Sequence, residues 1–464
     1  MSIEARPERA SARLAPRTIA LYAIGSVGTG GYATLPGLVL TYFLTDNLGV
    51  AALAAGAIVT AAKIWDVLID PLIGAASDRQ YARTGSRRGF MVTGALCLPV
   101  FFALTFAVPP SWGPVAGGVC VLLAFLATAT AFSLFQVPYV ALPAELTRGY
   151  DERTRLLGWR VVVLTAAILL FGAGGPALRK AADDPVTGYL VMGVAAGLAI
   201  GLGMLIAART ARTAARRADA LPAASLPPST WRDQYLSGFR TLRRSQPFRA
   251  LLGTFVLQAL ATGTMLAGAQ YLATWVLRSE DAVTLVFVAL VGPALLATPV
   301  WTAVSRRTGK ERAFTAASAL FTAAALVLIV AVWAPGGWIY GAVAVAGIAY
   351  AGLQSLPMAM LPDVISHDEA ENGPGQAGTF TGIWTAGETV GFALGATAVS
   401  LTLAATGYVS TVAGVAVTQP EAAITGIVLS FSLLPAVLMA GSLLTLRRYR
   451  LRREDIEAAP TSAA

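Results

Sequence analysis

Runs of about 20 apolar residues, the length a helix needs to cross a hydrocarbon core, recur along almost the whole chain. Short polar breaks separate them. Backbone in lipid must satisfy its own hydrogen bonds, which leaves helices or a closed barrel. Runs this long and unbroken specify helices. Hydropathy places twelve spans at 18–45, 50–77, 89–108, 114–143, 159–178, 187–208, 248–277, 283–304, 313–334, 337–361, 378–407 and 422–446. The expected fold class is an all-α polytopic membrane protein with twelve transmembrane helices. Composition agrees: charged residues make up 13% of 464, against about 25% in a soluble domain.

The first residues, "MSIEARPERASARLAPRTIA", are polar and basic and lack the short apolar core and cleavage site of a signal peptide. The first run is therefore read as a retained helix. The longest polar interruption, "ARTARTAARRADALPAASLPPSTWRDQ", divides the spans into six and six. The expected organisation is an N-terminal half at 1–208, a cytoplasmic linker at 209–247, a C-terminal half at 248–446 and a cytoplasmic tail at 447–464.

The net charge of +9 could suggest nucleic acid, but its distribution does not. With the N-terminus in the cytoplasm, nearly all basic residues fall in cytoplasmic segments. The exceptions are Arg179, Lys180 and Arg278, with Lys63 inside a span. That asymmetry is the positive-inside signal. It predicts a multi-pass cell-membrane protein with both termini cytoplasmic and no nucleic-acid partner. The lipid bilayer is its partner, and a monomer is expected. Cys97 and Cys120 lie within apolar runs and read as packing residues. His367 is the only histidine. Zinc chemistry and a Ser-His-Asp triad at membrane depth are poorly supported, and no cofactor is expected. An enzyme acting on lipid and a non-transporting receptor or scaffold are the competing classes.

The halves echo each other. Span 2 exits into "SDRQYARTGSRRGF" and span 8 into "SRRTGKERAF"; span 4 ends in "LPAELTRGYDERTR" and span 10 in "LPDVISHDEAENG". Corresponding loops with corresponding chemistry mark two parallel repeats, with a site between them near the midplane.

Span 2 puts Lys63, Asp66 and Asp70 among Ile, Trp, Leu and Val, where each charge is costly. The aspartates are four apart and share a helix face with Lys63. They can act as hard oxygen ligands for Na⁺, or share a proton because like charges raise one pKa. A buried ion network that merely ties helices is the alternative. Pro71 follows at once and removes a backbone N–H. Gly193-x₃-Gly197-x₃-Gly201 in span 6 and Gly387-x₃-Gly391-x₃-Gly395 in span 11 read as close helix packing.

"GAASDRQYARTGSRR" (Gly74–Arg88) resembles the signature loop of the major facilitator superfamily. "KIWDVLIDPLIG", "VPYVALPAELTRGYDERTRLLGWR" (Val137–Arg160), "MLPDVISHDEAENGPGQAGTFTGIWT" (Met360–Thr385) and the first span, Leu21–Gly49, resemble the glycoside-pentoside-hexuronide:cation symporters, the melibiose permease family. The resemblance implies a secondary transporter with alternating access, coupled to H⁺ or Na⁺, for a small solute such as a sugar or glycoside. Proton-driven export of a small natural product, drug or lipid-like amphiphile is the second reading.

By resemblance, Asp66 and Asp70 match the family's cation-site carboxylates and Ser133 a hydroxyl ligand. Ile69 stands where the family has Asn, which removes one oxygen and the grounds for assuming sodium. Of the family's sugar-contacting charges, Arg160 is the clearest to survive, across a one-residue gap in the match. Thr29-Gly30, Gln136, Val140 and Thr389 replace the family's other contacts. Gln136, Thr29, Thr385, Tyr139, Gln270 and Trp384 are the remaining candidates for binding solute. Glu388, mid-span, is expected to take over the missing span 11 charge as a proton site, or as counter-ion to Arg160 or to a cationic solute. Asp78, Arg79, Arg87, Arg88, Glu145 and Asp363 are expected to gate the cytoplasmic face through ion pairs between halves or helices.

Overall fold

The computed structural model describes residues 13–147, 150–218, 242–372 and 377–451. Most of the expected linker and the end of the tail lie outside the described residues. Eleven described helices are long and apolar enough to cross a membrane. A twelfth, richer in Gly, Thr and Tyr, completes the expected set. In chain order they are α1 (Ser26–Asp46), α2 (Ala52–Thr84), α3 (Arg88–Phe106), α4 (Gly113–Leu146), α5 (Tyr150–Arg179), α6 (Pro185–Ala207), α7 (Gln246–Tyr271), α8 (Ala282–Thr308), α9 (Lys310–Val327), α10 (Trp338–Asn372), α11 (Ala377–Ala405) and α12 (Glu421–Phe431 and Leu433–Leu446). Among the described residues β structure is limited to one isolated bridge, Leu48 with Val412.

Several helices outrun the spans read from hydropathy. α2 continues to Thr84 and α10 to Asn372, and α5 begins at Tyr150. Hydropathy reports the thickness of the hydrocarbon, whereas a helix stops only where its backbone is capped. Gly85 ends α2 in the left-handed conformation (φ 66°), its N–H bonded to the Tyr81 carbonyl, where a side chain would be strained. Gly309 (φ 94°) ends α8 at the corresponding loop of the second repeat. At the opposite face Asp184 caps α6. Its carboxylate accepts from Thr187 N–H and Oγ1, both at 2.9 Å, and these bonds hold the Asp184 carboxyl below its usual range.

Among the first six helices, α3 packs on α4 and α6, α2 on α4, and α1 on α5 and α6. Among the last six, α7 packs on α11 and α12, and α10 on α8 and α9. Both glycine runs lie at such seams. A Cβ at Gly395 would sit 2.5 Å from the Gly263 backbone of α7, and one at Gly201 would sit 2.8 Å from the Ala95 carbonyl of α3. Backbones this close leave no room for a side chain. Between the two sets the closest packing is α1 with α7, α2 with α11 and α5 with α8.

The chain ends meet one face of the bundle, where Leu14 N–H bonds Glu152 and Gln246 bonds the Arg448 carbonyl. This is the terminal face; the other is the far face.

Candidate functional site

On α2, Lys63 Nζ reaches Asp66 Oδ2 at 3.2 Å and lies over the Tyr32 ring of α1, 4.4 Å from its centroid. Tyr32 donates its hydroxyl to the same oxygen at 3.4 Å. It is held by stacking on Phe132 of α4 at 4.0 Å. The Ser133 hydroxyl of α4 interacts with the Asp70 carboxylate. Asp66 Oδ1 and Asp70 Oδ1 are buried without a hydrogen-bond partner. An unpaired buried carboxylate oxygen is costly, so these two mark a place for a cation or a proton. Ile69 is buried and apolar. The structure thus brings together Lys63, Asp66, Asp70 and Ser133, and adds Tyr32. Nothing in the sequence distinguishes that tyrosine from ordinary span aromatics, because its role depends on a contact between helices.

The solute-binding candidates scatter. Thr29 donates to Gln136 Oε1 at 2.8 Å, so these two satisfy each other. Tyr139 is fully buried; it donates to the Tyr22 carbonyl at 2.8 Å and stacks on Tyr22. Its ring faces the Arg160 guanidinium at 5.5 Å. Arg160 has no carboxylate partner among the described residues, and its Nε is buried and unbonded. Trp384 is buried against Phe255, stacked at 4.1 Å, and Gln270 is fully buried and donates to Thr274. Neither meets open space in this conformation. Thr385 is exposed and returns its hydroxyl to the Thr381 carbonyl.

Glu388 does not share the face of α11 that meets the first six helices. That face carries Thr397, whose hydroxyl bonds Thr60 of α2. Glu388 is nine residues earlier, half a turn round at 100° per residue. It lies beside Tyr350 of α10. Tyr350 lines a cavity of about 10 Å³ with Phe255, Gln258, Thr262 and Gln354, room for one water.

The expected gate residues pair within each set of helices. Arg87 bonds Asp78 at 2.6 Å and Glu145 at 2.6 Å, joining α2, α3 and α4. Burial pushes the Glu145 carboxyl up, against the pull of Arg87. Lys310 bonds Asp363 at 2.6 Å, joining α9 to α10. These are inter-helix pairs rather than pairs between halves. Arg79 is exposed, and with Arg83 and Phe90 it lines a groove at the terminal face. Arg88, half-buried, leaves its Nε unbonded. Among the described residues the ion pairs between sets are at the far face, Arg179 with Glu280 at 2.8 Å and Lys180 with Asp281, and Asp46 bonds Tyr408 beside them. In the sequence each is only a residue at a helix end; the pairing exists once the two sets are brought together.

Comparison with known proteins decides the family. The model for MFS/sugar transport proteins matches residues 21–453. The chain belongs to this family. Members of the major facilitator superfamily are transporters, and this chain is a multi-pass membrane transporter rather than an enzyme. The glucuronide carrier protein homolog of Escherichia coli (strain K12) is 25% identical over 432 residues, covering 92% of this chain and 91% of that one. An uncharacterized symporter of Synechocystis is 24% identical over 519 residues, covering 93% of each. Among solved structures, the inward-facing, unoccupied bacterial homolog of the lysosomal transporter Spinster superimposes with a TM-score of 0.63 at 12% identity, over 96% of this chain and 98% of that one. The xylose transporter XylE of Escherichia coli gives 0.60 at 12% identity, over 94% and 98%. These establish the major facilitator fold.

Proposed function

We propose that this chain imports a sugar-like solute bearing an anionic group, together with one proton, by alternating access between the two halves. The carrying observation is the Lys63 ammonium seated on Asp66 at 3.2 Å. It neutralises one of the two aspartates from within, so the pair lacks a single positive charge, at Asp70. A hard metal cation needs several oxygen ligands around it. Here Ile69 supplies none, and Tyr32 and Lys63 already use Asp66 Oδ2. A proton needs one oxygen, and Asp70 Oδ1 is unbonded.

Arg160 supports the anionic solute. An intramembrane guanidinium with no carboxylate partner among the described residues is a candidate functional group, and its planar fork suits a carboxylate. A relative is named for glucuronide, a sugar with that group. With a proton on Asp70 and a monoanion on Arg160, both charges are matched in the loaded carrier.

The positive-inside distribution supports a cytoplasmic terminal face. The ties between halves then lie outside, and the structure corresponds to an inward-facing state. The test is uptake of a labelled glucuronide into proteoliposomes under imposed gradients. An inward proton gradient should drive accumulation, and a sodium gradient at equal pH should not. Accumulation driven by sodium alone would reject proton coupling, and accumulation of only uncharged glycosides would reject the role of Arg160.

A further inference from the structure

The far face carries a hydrogen-bond chain whose Trp275 arm has a fixed direction. Trp275 Nε1 can only donate, and it donates to the Tyr408 hydroxyl at 2.8 Å. The Tyr408 proton is then committed to Asp46 Oδ1, at 2.5 Å. On the other side the Thr45 hydroxyl donates to Asp46 Oδ2 at 2.5 Å. With the Thr45 proton on Asp46, its shortest acceptor, rather than on the Thr41 carbonyl at 3.2 Å, Tyr271 is the donor in its 2.7 Å bond to Thr45. Two relays, one from Trp275 and one from Tyr271, end on the two oxygens of one carboxylate. Such chains polarise and strengthen one another.

The carboxylate and its donors come from opposite sets of helices. Asp46 and Thr45 close α1. Tyr271 ends α7, Trp275 lies in the π-helical turn Leu272–Val276 that follows, and Tyr408 lies just beyond α11. π turns recur at functional positions. Thr45, Tyr271 and Tyr408 are buried and Asp46 is half-buried. Backbone bonds extend the join, from Thr411 N–H to the Thr45 carbonyl at 2.9 Å and from Ala413 N–H to the Asn47 carbonyl at 3.1 Å. The neighbouring ion pairs are more open. Glu280 is 52% exposed although its partner Arg179 is buried at 5%, and the Lys180–Asp281 pair is open on both sides, at 36% and 79%; exposed pairs contribute little.

We infer that Asp46 is the latch of the outer gate: its carboxylate, captured by Tyr408 and by the Thr45–Tyr271 relay, holds the halves together on the far face. The residue positions the carrier in its inward-facing state, and each outward opening requires this capture to be released. The inference rests on the sidedness proposed above.

The test uses the full chain in intact cells, with Cys97 and Cys120 replaced by Ala and one reporter, Gln270→Cys, buried beneath the gate. A membrane-impermeant thiol reagent is added outside. Asp46→Asn and Tyr408→Phe are each expected to raise the reporter's labelling rate about tenfold or more, the scale of one lost hydrogen bond to a charged group. Asp281→Asn should change it less than about twofold. Unchanged labelling in both Asp46→Asn and Tyr408→Phe overturns the latch, and so does a larger effect from Asp281→Asn. If Asp46→Asn fails to reach the membrane, Tyr408→Phe, which removes only a hydroxyl, carries the test. Gly337→Cys, exposed in the far-face α9–α10 loop, separates the two readings. If it does not label from outside, the sidedness is wrong and the same comparison is made in inverted vesicles.

Discussion

The two faces of this carrier use similar residues to opposite ends. At the terminal face, Arg87 ties α2, α3 and α4 together through Asp78 and Glu145, and Lys310 ties α9 to α10. At the far face, Arg179, Lys180 and Asp46 each reach from one half to the other. A pair inside a half stiffens a body that moves as a unit. A pair between halves has to break in every cycle. A conspicuous charge cluster is therefore not by itself a gate; what matters is which bodies it joins.

The largest expected effect comes from breaking the stiffening side. Arg87 and Glu145 side chains are each only 12% exposed, so Arg87→Ala leaves Glu145 without its partner in a poorly hydrated place. Removing one member of such a pair costs about 3 kcal/mol. We expect a marked fall in thermal stability in detergent, with outside labelling of Gln270→Cys little changed. A rise in labelling without loss of stability would make Arg87 a gate after all.

A smaller effect follows from wedging the far face. Gly56 of α2 meets α11 so closely that an added Cβ would sit 2.5 Å from the Ser400 Cβ. Gly56→Val should oppose closure by about 1–3 kcal/mol, the usual cost of overpacking. Uptake should fall and outside labelling rise. Equal uptake by this variant and the parent would show that the α2–α11 contact is not needed for the cycle.

Smallest is the open pair at the terminal face. Lys310 is 42% exposed, so Lys310→Ala should shift stability by less than about 1 kcal/mol, measured by the same thermal unfolding. A loss as large as that of Arg87→Ala would remove the distinction between buried and exposed ties.

How much of this was written in the sequence depends on range. Helices were legible because each hydrophobic run records the bilayer it crosses. Their ends were not, because α2 continues seven residues beyond the apolar limit at 77 and stops where Gly85 supplies a left-handed cap. Lys63, Asp66 and Asp70 were legible because charge inside a span has few silent explanations. Tyr32 and Asp46 were not. A tyrosine in a helix and an aspartate at a helix end are ordinary until Phe132, Tyr408 and Tyr271 arrive from elsewhere in the chain. Glu388 was visible as a charge, but its direction was set by the α7 and α11 glycine seam, which turns it toward Tyr350.

If Lys63 leaves one vacancy for a proton at Asp70, solute uptake moves protons, and this movement can be recorded. A glucuronide is added to lightly buffered, sodium-free proteoliposomes and the external pH is recorded. The expected result is an alkalinisation of about one proton per solute taken up in the parent, and none in Asp70→Asn, which still exchanges solute. Uptake without any pH change, requiring sodium instead, would contradict it.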